Sequence, residues 1–180
     1  MVAPPTPAPG NRAANGLTPP GVPTAAAAPD RGNPFFDKWP SPFRVPPFAR
    51  IAPYHFLPAF ERAFATHDAE IAAIAGAAAA PTFQNTIAAM ELAGEELDRV
   101  GNVFGVLVGA HTNEALLAIE RALSPLRARH WNGILLNGPL FRRIDTLWQR
   151  RDGLGLDAEQ ARVLERYYVM FKRAGAALDA

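Results

Sequence analysis

Cysteine is absent from the 180 residues, which removes disulfide staples, thiolate nucleophiles and thiolate zinc sites together. Serine is nearly as scarce. Ser41 and Ser124 are the only two, and neither stands in a Gly-x-Ser-x-Gly elbow, so no esterase-type triad has a place to form. Neither sign of charge dominates, since 18 Lys and Arg against 17 Asp and Glu leave +1, too little for a global field that gathers nucleic acid or acidic lipid. No apolar run approaches the roughly 20 residues that span a bilayer, because Asn102 interrupts the stretch from Val100 to Ala110. The opening MVAPPTPAPG has none of the apolar core of a secretory signal, which favours the cytoplasm, with the periplasm open only if an upstream start adds a signal. Phosphate-cradling loops are missing as well: there is neither G-x-x-x-x-G-K-S/T nor a strand-following G-x-G-x-x-G.

What is present divides the chain into three parts. Residues 1–32 hold 8 of the 18 prolines and 8 alanines, no aromatic residue, and only Arg12, Asp30 and Arg31 as charges. Such a segment buries too little apolar surface to offset the entropy of ordering it, and it reads as a disordered Pro/Ala-rich leader. Residues 33–52 form an extended arm, NPFFDKWPSPFRVPP and its sequel, whose prolines turn their predecessors away from helix. Phe35, Phe36, Trp39, Phe43 and Phe48 read as anchors laying that arm along a helical body; a proline-rich ligand for a partner domain is the alternative.

From residue 53 to 180 the helical period rules, and no strand is predicted, so the class is all-α with about five helices in antiparallel hairpins. Phe56, Phe60, Phe64, Ile71 and Ile74 make one stripe of a first helix reaching about Ala79. Thr82 is a candidate cap for a second, from about Phe83 to Gly109, with Ile87, Met90, Leu97, Val100 and Phe104 apolar. Gly101, Gly105 and Gly109 recur on it, each costing about 1 kcal/mol relative to Ala, which predicts close approach of a neighbouring helix. Thr112 is expected to cap a third helix (Leu116, Ile119, Leu123, Leu126, then Trp131, Ile134, Leu135), kinked or broken at Pro125. Asn137-Gly138-Pro139 stops it. A fourth carries Leu140, Ile144, Leu147 and Trp148 until Asp152-Gly153-Leu154-Gly155. Asp157 with Gln160 opens a fifth that turns Val163, Leu164, Tyr167, Tyr168 and Phe171 inward.

A helical zinc hydrolase needs two histidines one turn apart with a glutamate beside the first, because that spacing aims both imidazoles at one ion. His55, His67, His111 and His130 are nowhere closer than 12 residues and none precedes a Glu, so the motif is absent. His67 lies on the apolar stripe of the first helix and reads as a packed core residue; His111 belongs to a helix end, and His130, near a terminus, can meet the helix dipole. Glu91, Glu95, Glu96, Asp98 and Arg99 read as a solvated face rather than an acidic site. Arg142, Arg143, Arg150 and Arg151 near Trp148 suggest nucleic acid, but Asp145 and Asp152 dilute their field and a solvated surface is the simpler reading. No catalytic, cofactor-binding or metal-ligating residue is assigned.

Residue order carries more than residue chemistry. Asn33-Pro34-Phe35-Phe36, Pro46-Pro47-Phe48 before His55-Phe56-Leu57-Pro58-Ala59-Phe60, and Pro81-Thr82-Phe83-Gln84-Asn85-Thr86-Ile87 resemble the beginning of M3 (thimet oligopeptidase-like) metallopeptidases, in particular their bacterial peptidyl-dipeptidases. Arg99-Val100-Gly101-Asn102-Val103-Phe104, Leu154-Gly155-Leu156-Asp157 with Glu159-Gln160, and Leu164-Glu165-Arg166-Tyr167-Tyr168 continue the resemblance in order, from Asn33 to about Leu178. It implies a zinc enzyme several times longer, almost wholly helical, whose amino-terminal helices wall a channel admitting short unstructured peptides. It implies also that the zinc ligands and substrate-binding residues lie downstream of the matched region. In that enzyme the metal would polarise the peptide carbonyl and activate water, with a glutamate as base. This chain is then a truncated amino-terminal lobe, inactive alone, lacking its carboxy-terminal catalytic partner and exposing apolar surface. The alternative, from a different class, is a free-standing helical interaction module without catalysis.

Overall fold

A computed structural model describes residues 32–176, and within them the regular structure is entirely helical. The leader expected at 1–32 lies, apart from Gly32, outside the described residues. The helices are α1 (Phe56–Ala75), the short α2 (Ala89–Leu92), α3 (Glu95–His111), α4 (Glu114–Leu135), α5 (Gly138–Gln149) and α6 (Ala158–Ala174).

The stripe on α1 makes it the hub. Its first half buries Phe56, Phe60 and Phe64 with Val100, Val103 and Phe104 of α3 and Leu116 and Leu123 of α4. The Phe56 and Phe60 rings meet Phe104 edge-on at 5.0 and 5.6 Å, the arrangement that aromatic quadrupoles favour. The second half of α1 contributes Ile71 to a separate core with Ile134 of α4, Leu140, Ile144 and Leu147 of α5, and Leu164 and Phe171 of α6. Helices α3 and α4 thus each pack on α1, and α5 pairs with α6.

Local signals set several starts as expected. Thr82 Oγ1 accepts from Asn85 N at 3.1 Å while Asn85 Oδ1 accepts from Thr82 N at 2.8 Å. Asp157 and Gln160 exchange the same pair of bonds at 2.8 and 3.3 Å, satisfying amides that a helix start leaves orphaned. The turn after Thr82 is a wide π-type coil, Phe83–Ala88.

Other expectations are corrected. The second helix is not continuous to Gly109: it breaks at Ala93–Gly94, where Gly94 takes φ +85°, and α3 starts afresh. Thr112 does not cap α4; Asn113 does, its Oδ1 accepting from Leu116 N at 3.0 Å. Pro125 does not break α4, which runs through it; Arg121, whose carbonyl loses its amide partner there, is exposed to solvent. Gly101, Gly105 and Gly109 face no neighbouring helix, since a Cβ on any of them would meet nothing within 4 Å.

The arm is held by Phe35, buried against Phe56 at 5.2 Å, and by Phe36 and Trp39, but Phe43 is 100% exposed and Phe48 45% exposed. Three short 3-10 turns, Pro42–Arg44, Phe48–Arg50 and Pro53–His55, interrupt its extended course. Arg99 fixes it by donating to the Phe35 carbonyl at 2.6 Å while its guanidinium lies 5.1 Å from the Trp39 ring centre.

Candidate functional site

The two apolar cores meet at a polar seam. On α1, His67 falls between Phe64 of one core and Ile71 of the other; on α4, His130 falls between Leu123 and Ile134. Both rings are buried, and His67 Nδ1 lies 3.0 Å from His130 Nε2 in a direct hydrogen bond. One nitrogen of that contact must carry the proton and the other accept it. His130 Nδ1 is 2.8 Å from Asp68 Oδ1, within ion-pair distance. His130 therefore belongs to this seam and not to a helix terminus.

The surroundings set the charge state of His67. Burial, and next the adjacent His130, push its pKa below the ordinary 6.5, against the opposing pull of Glu70, Asp68 and Asp98. The break between α2 and α3 closes over this ring: a Cβ at Gly94 would stand 3.3 Å from its Cε1 and Nδ1. The Gly94 amide in turn donates to Glu70 Oε2 at 2.7 Å. Gly94 is required twice, for its left-handed backbone and for the space.

The imidazole pair partitions two hollows. On the His67 side a cleft of about 370 Å³ runs between α1, the α2–α3 break, α4 and α6, walled by Met90, Leu97, Trp131, Tyr167 and Met170 with Glu91 and Asp98 at its edge. On the His130 side a hollow of about 580 Å³ is edged by Glu61, Asp68, Leu126 and Arg129. Burial, and next the neighbouring Glu91 carboxylate, raise the Tyr167 phenol pKa. The facing nitrogens of the pair are committed to each other, which ties α1 to α4 across the seam. Among the described residues no three His, Asp or Glu side chains converge as metal ligands.

The remaining residues singled out by sequence are scattered. His55 is buried and accepts from Ala52 N at 3.0 Å, organising the start of α1; burial and then Arg50 lower its pKa. His111 is exposed at the end of α3. Glu95 and Glu96 pair with Arg44 and Arg62 at 3.1 and 3.5 Å, while Glu91 and Asp98 edge the cleft. Arg143 does not share a solvated face with Arg142, Arg150 and Arg151: it is buried, and it donates to the Ala77 and Ala79 carbonyls at 2.9 and 3.0 Å and to Asn85 Oδ1 at 3.0 Å. Tyr168 stacks on Trp148 at 4.7 Å.

No protein-family model matches the chain. Among curated proteins, it is 44% identical over 146 residues to a dipeptidyl carboxypeptidase of Escherichia coli (strain K12), covering 81% of this chain and 21% of that protein. It is 41% identical over 146 residues to a dipeptidyl carboxypeptidase of Salmonella typhimurium (strain LT2), covering 81% of this chain and 22% of that protein. The chain is homologous to these peptidases and spans about a fifth of their length. No described helix is long and apolar enough to cross a membrane.

Proposed function

We propose that this relative of bacterial dipeptidyl carboxypeptidases is the amino-terminal, channel-walling lobe of a cytoplasmic zinc-dependent peptidyl-dipeptidase of the thimet oligopeptidase-like kind. The intact enzyme would take short unstructured peptides and release dipeptides from their carboxyl ends. The observation that carries this reading is the 44% identity spread over 81% of the chain but only 21% of the relative.

The residues present do not fit zinc. The sequence holds no His-Glu-x-x-His, and the one histidine pair that the fold assembles is bonded to itself, with one carboxylate, Asp68, in ion-pair contact. The metal and the groups that act on the peptide bond are therefore assigned to the rest of the enzyme. This lobe contributes shape: the aromatic core on α1 and the histidine seam fix its helices as one wall, and restriction of access is what a wall can add to hydrolysis.

A chimera tests the reading. Replacing the matched residues of the Escherichia coli enzyme with this chain should leave a folded peptidase that releases carboxy-terminal dipeptides at a rate comparable to the parent. A folded but inactive chimera would favour the other reading, a free-standing helical interaction module, for which the half-exposed Trp131 beside the cleft speaks.

A further inference from the structure

We infer that the cleft beside His67 is a docking seat for an apolar helix carrying a flanking lysine or arginine, supplied by the part of the peptidase outside these 180 residues. The inference rests on the reading of the chain as one lobe of a larger enzyme, and it adds where the remainder binds and with what chemistry.

Two large apolar side chains stand partly exposed at one concave place. Trp131 and Met170 wall the cleft while 48% and 39% exposed. Isolated exposed apolar side chains are ordinary, but large ones gathered at a hollow mark a binding surface. A volume near 370 Å³ admits a few side chains of a helix and not a folded peptide.

Charge selects the occupant. Glu91 and Asp98 edge the cleft, no Lys or Arg lines it, and neither carboxylate has an ion-pair partner among the described residues. Their neighbours Glu95 and Glu96 are already paired with Arg44 and Arg62. The floor, His67 and Gly94, supplies no fixed positive charge either. A cation from outside is the complement. A second copy of the chain fits worse, because a two-fold contact places this patch against itself and sets carboxylates facing carboxylates. The relatives, about five times longer than the matched segment, leave most of their length to provide the helix.

The test uses the chain and the chimera together. The chain has no cysteine, so Met170→Cys introduces a unique thiol at the cleft wall. N-ethylmaleimide should modify it readily in the isolated chain and at least about tenfold more slowly in the chimera, read on the peptide containing position 170; a tenfold protection corresponds to about 1.4 kcal/mol of closure. Glu91→Lys combined with Asp98→Lys should lower the melting of the isolated chain only modestly, since both residues are exposed although Glu91 neighbours Tyr167 and Asp98 stands in the first turn of α3, and should abolish most of that protection. Equal labelling in chain and active chimera overturns the docking seat while the lobe reading stands. Protection that survives charge reversal overturns the basic complement. A folded, inactive chimera overturns the lobe reading and this inference with it.

Discussion

Two glycines, one just before α3 and one inside it, should respond to alanine in opposite directions. At Gly94 the backbone sits at φ +85°, where an L side chain costs about 1–2 kcal/mol. The added methyl also meets the His67 ring at 3.3 Å, and that ring cannot retreat freely because it is buried and bonded to His130 at 3.0 Å. Overpacking of this kind adds about 1–2 kcal/mol, for a total near 2–4 kcal/mol. At Gly105, within α3, an added Cβ meets nothing within 4 Å, and the backbone is helical. Alanine there should stabilise by about 1 kcal/mol through the lower entropy cost of helix formation. With a urea slope of about 2 kcal/mol/M, the midpoint should fall by about 1–2 M for Gly94→Ala and rise by about 0.5 M for Gly105→Ala, followed by circular dichroism at 222 nm. A neutral Gly94→Ala would refute the closed contact over His67. A destabilising Gly105→Ala would mean that the glycine face is packed after all.

Stability should also fall on mild acidification. His67 and His55 both titrate below 6.5 in the fold, each chiefly through burial, so the unfolded chain takes up protons first. Their contribution is complete above about pH 6.5 and declines toward lower pH by at most about 1.4 kcal/mol per pH unit per histidine, until the folded values are passed. Urea titrations at several pH values read that slope, and His67→Gln should make it shallower; stability that rises on acidification contradicts the burial of these rings as neutral groups. Phe104→Ala, which removes the ring shared by Phe56 and Phe60, should cost about 3–5 kcal/mol in the same assay, and a loss under about 1 kcal/mol would show the aromatic core to be loose. Arg143→Met strips the Ala77 and Ala79 carbonyls and Asn85 of their donor, so a destabilisation of about 1–3 kcal/mol is expected, with faster proteolysis between α1 and the Thr82 turn. An unchanged variant would return Arg143 to the solvated surface.

The parts legible in sequence are those governed by near neighbours along the chain. The Phe56–Phe60–Phe64 stripe, the Thr82 cap and the Asp157–Gln160 box each involve residues three or four apart, and all appear where the sequence puts them. What escaped was decided by distant partners. His130 continues the α4 stripe four residues after Leu126 and four before Ile134, a signal masked by the expectation of a break at Pro125; its partner His67 is 63 residues away. Arg143 groups with its basic neighbours in the sequence because nothing local announces the carbonyls at 77 and 79 that it caps. Gly94, a glycine inside a helical run, is a local signal of the α2–α3 break, less conspicuous than the evenly spaced Gly101, Gly105 and Gly109, whose face is open. Phe43 shows the limit of composition: an aromatic in a proline-rich arm is not thereby an anchor.

The most direct measurement of the central claim is metal content and dipeptide release by the purified 180-residue chain itself after equilibration with zinc. Substoichiometric metal after dialysis, and no carboxy-terminal dipeptide released from a short peptide, is the expected result. One tightly held zinc per chain, or turnover of the peptide, would contradict it.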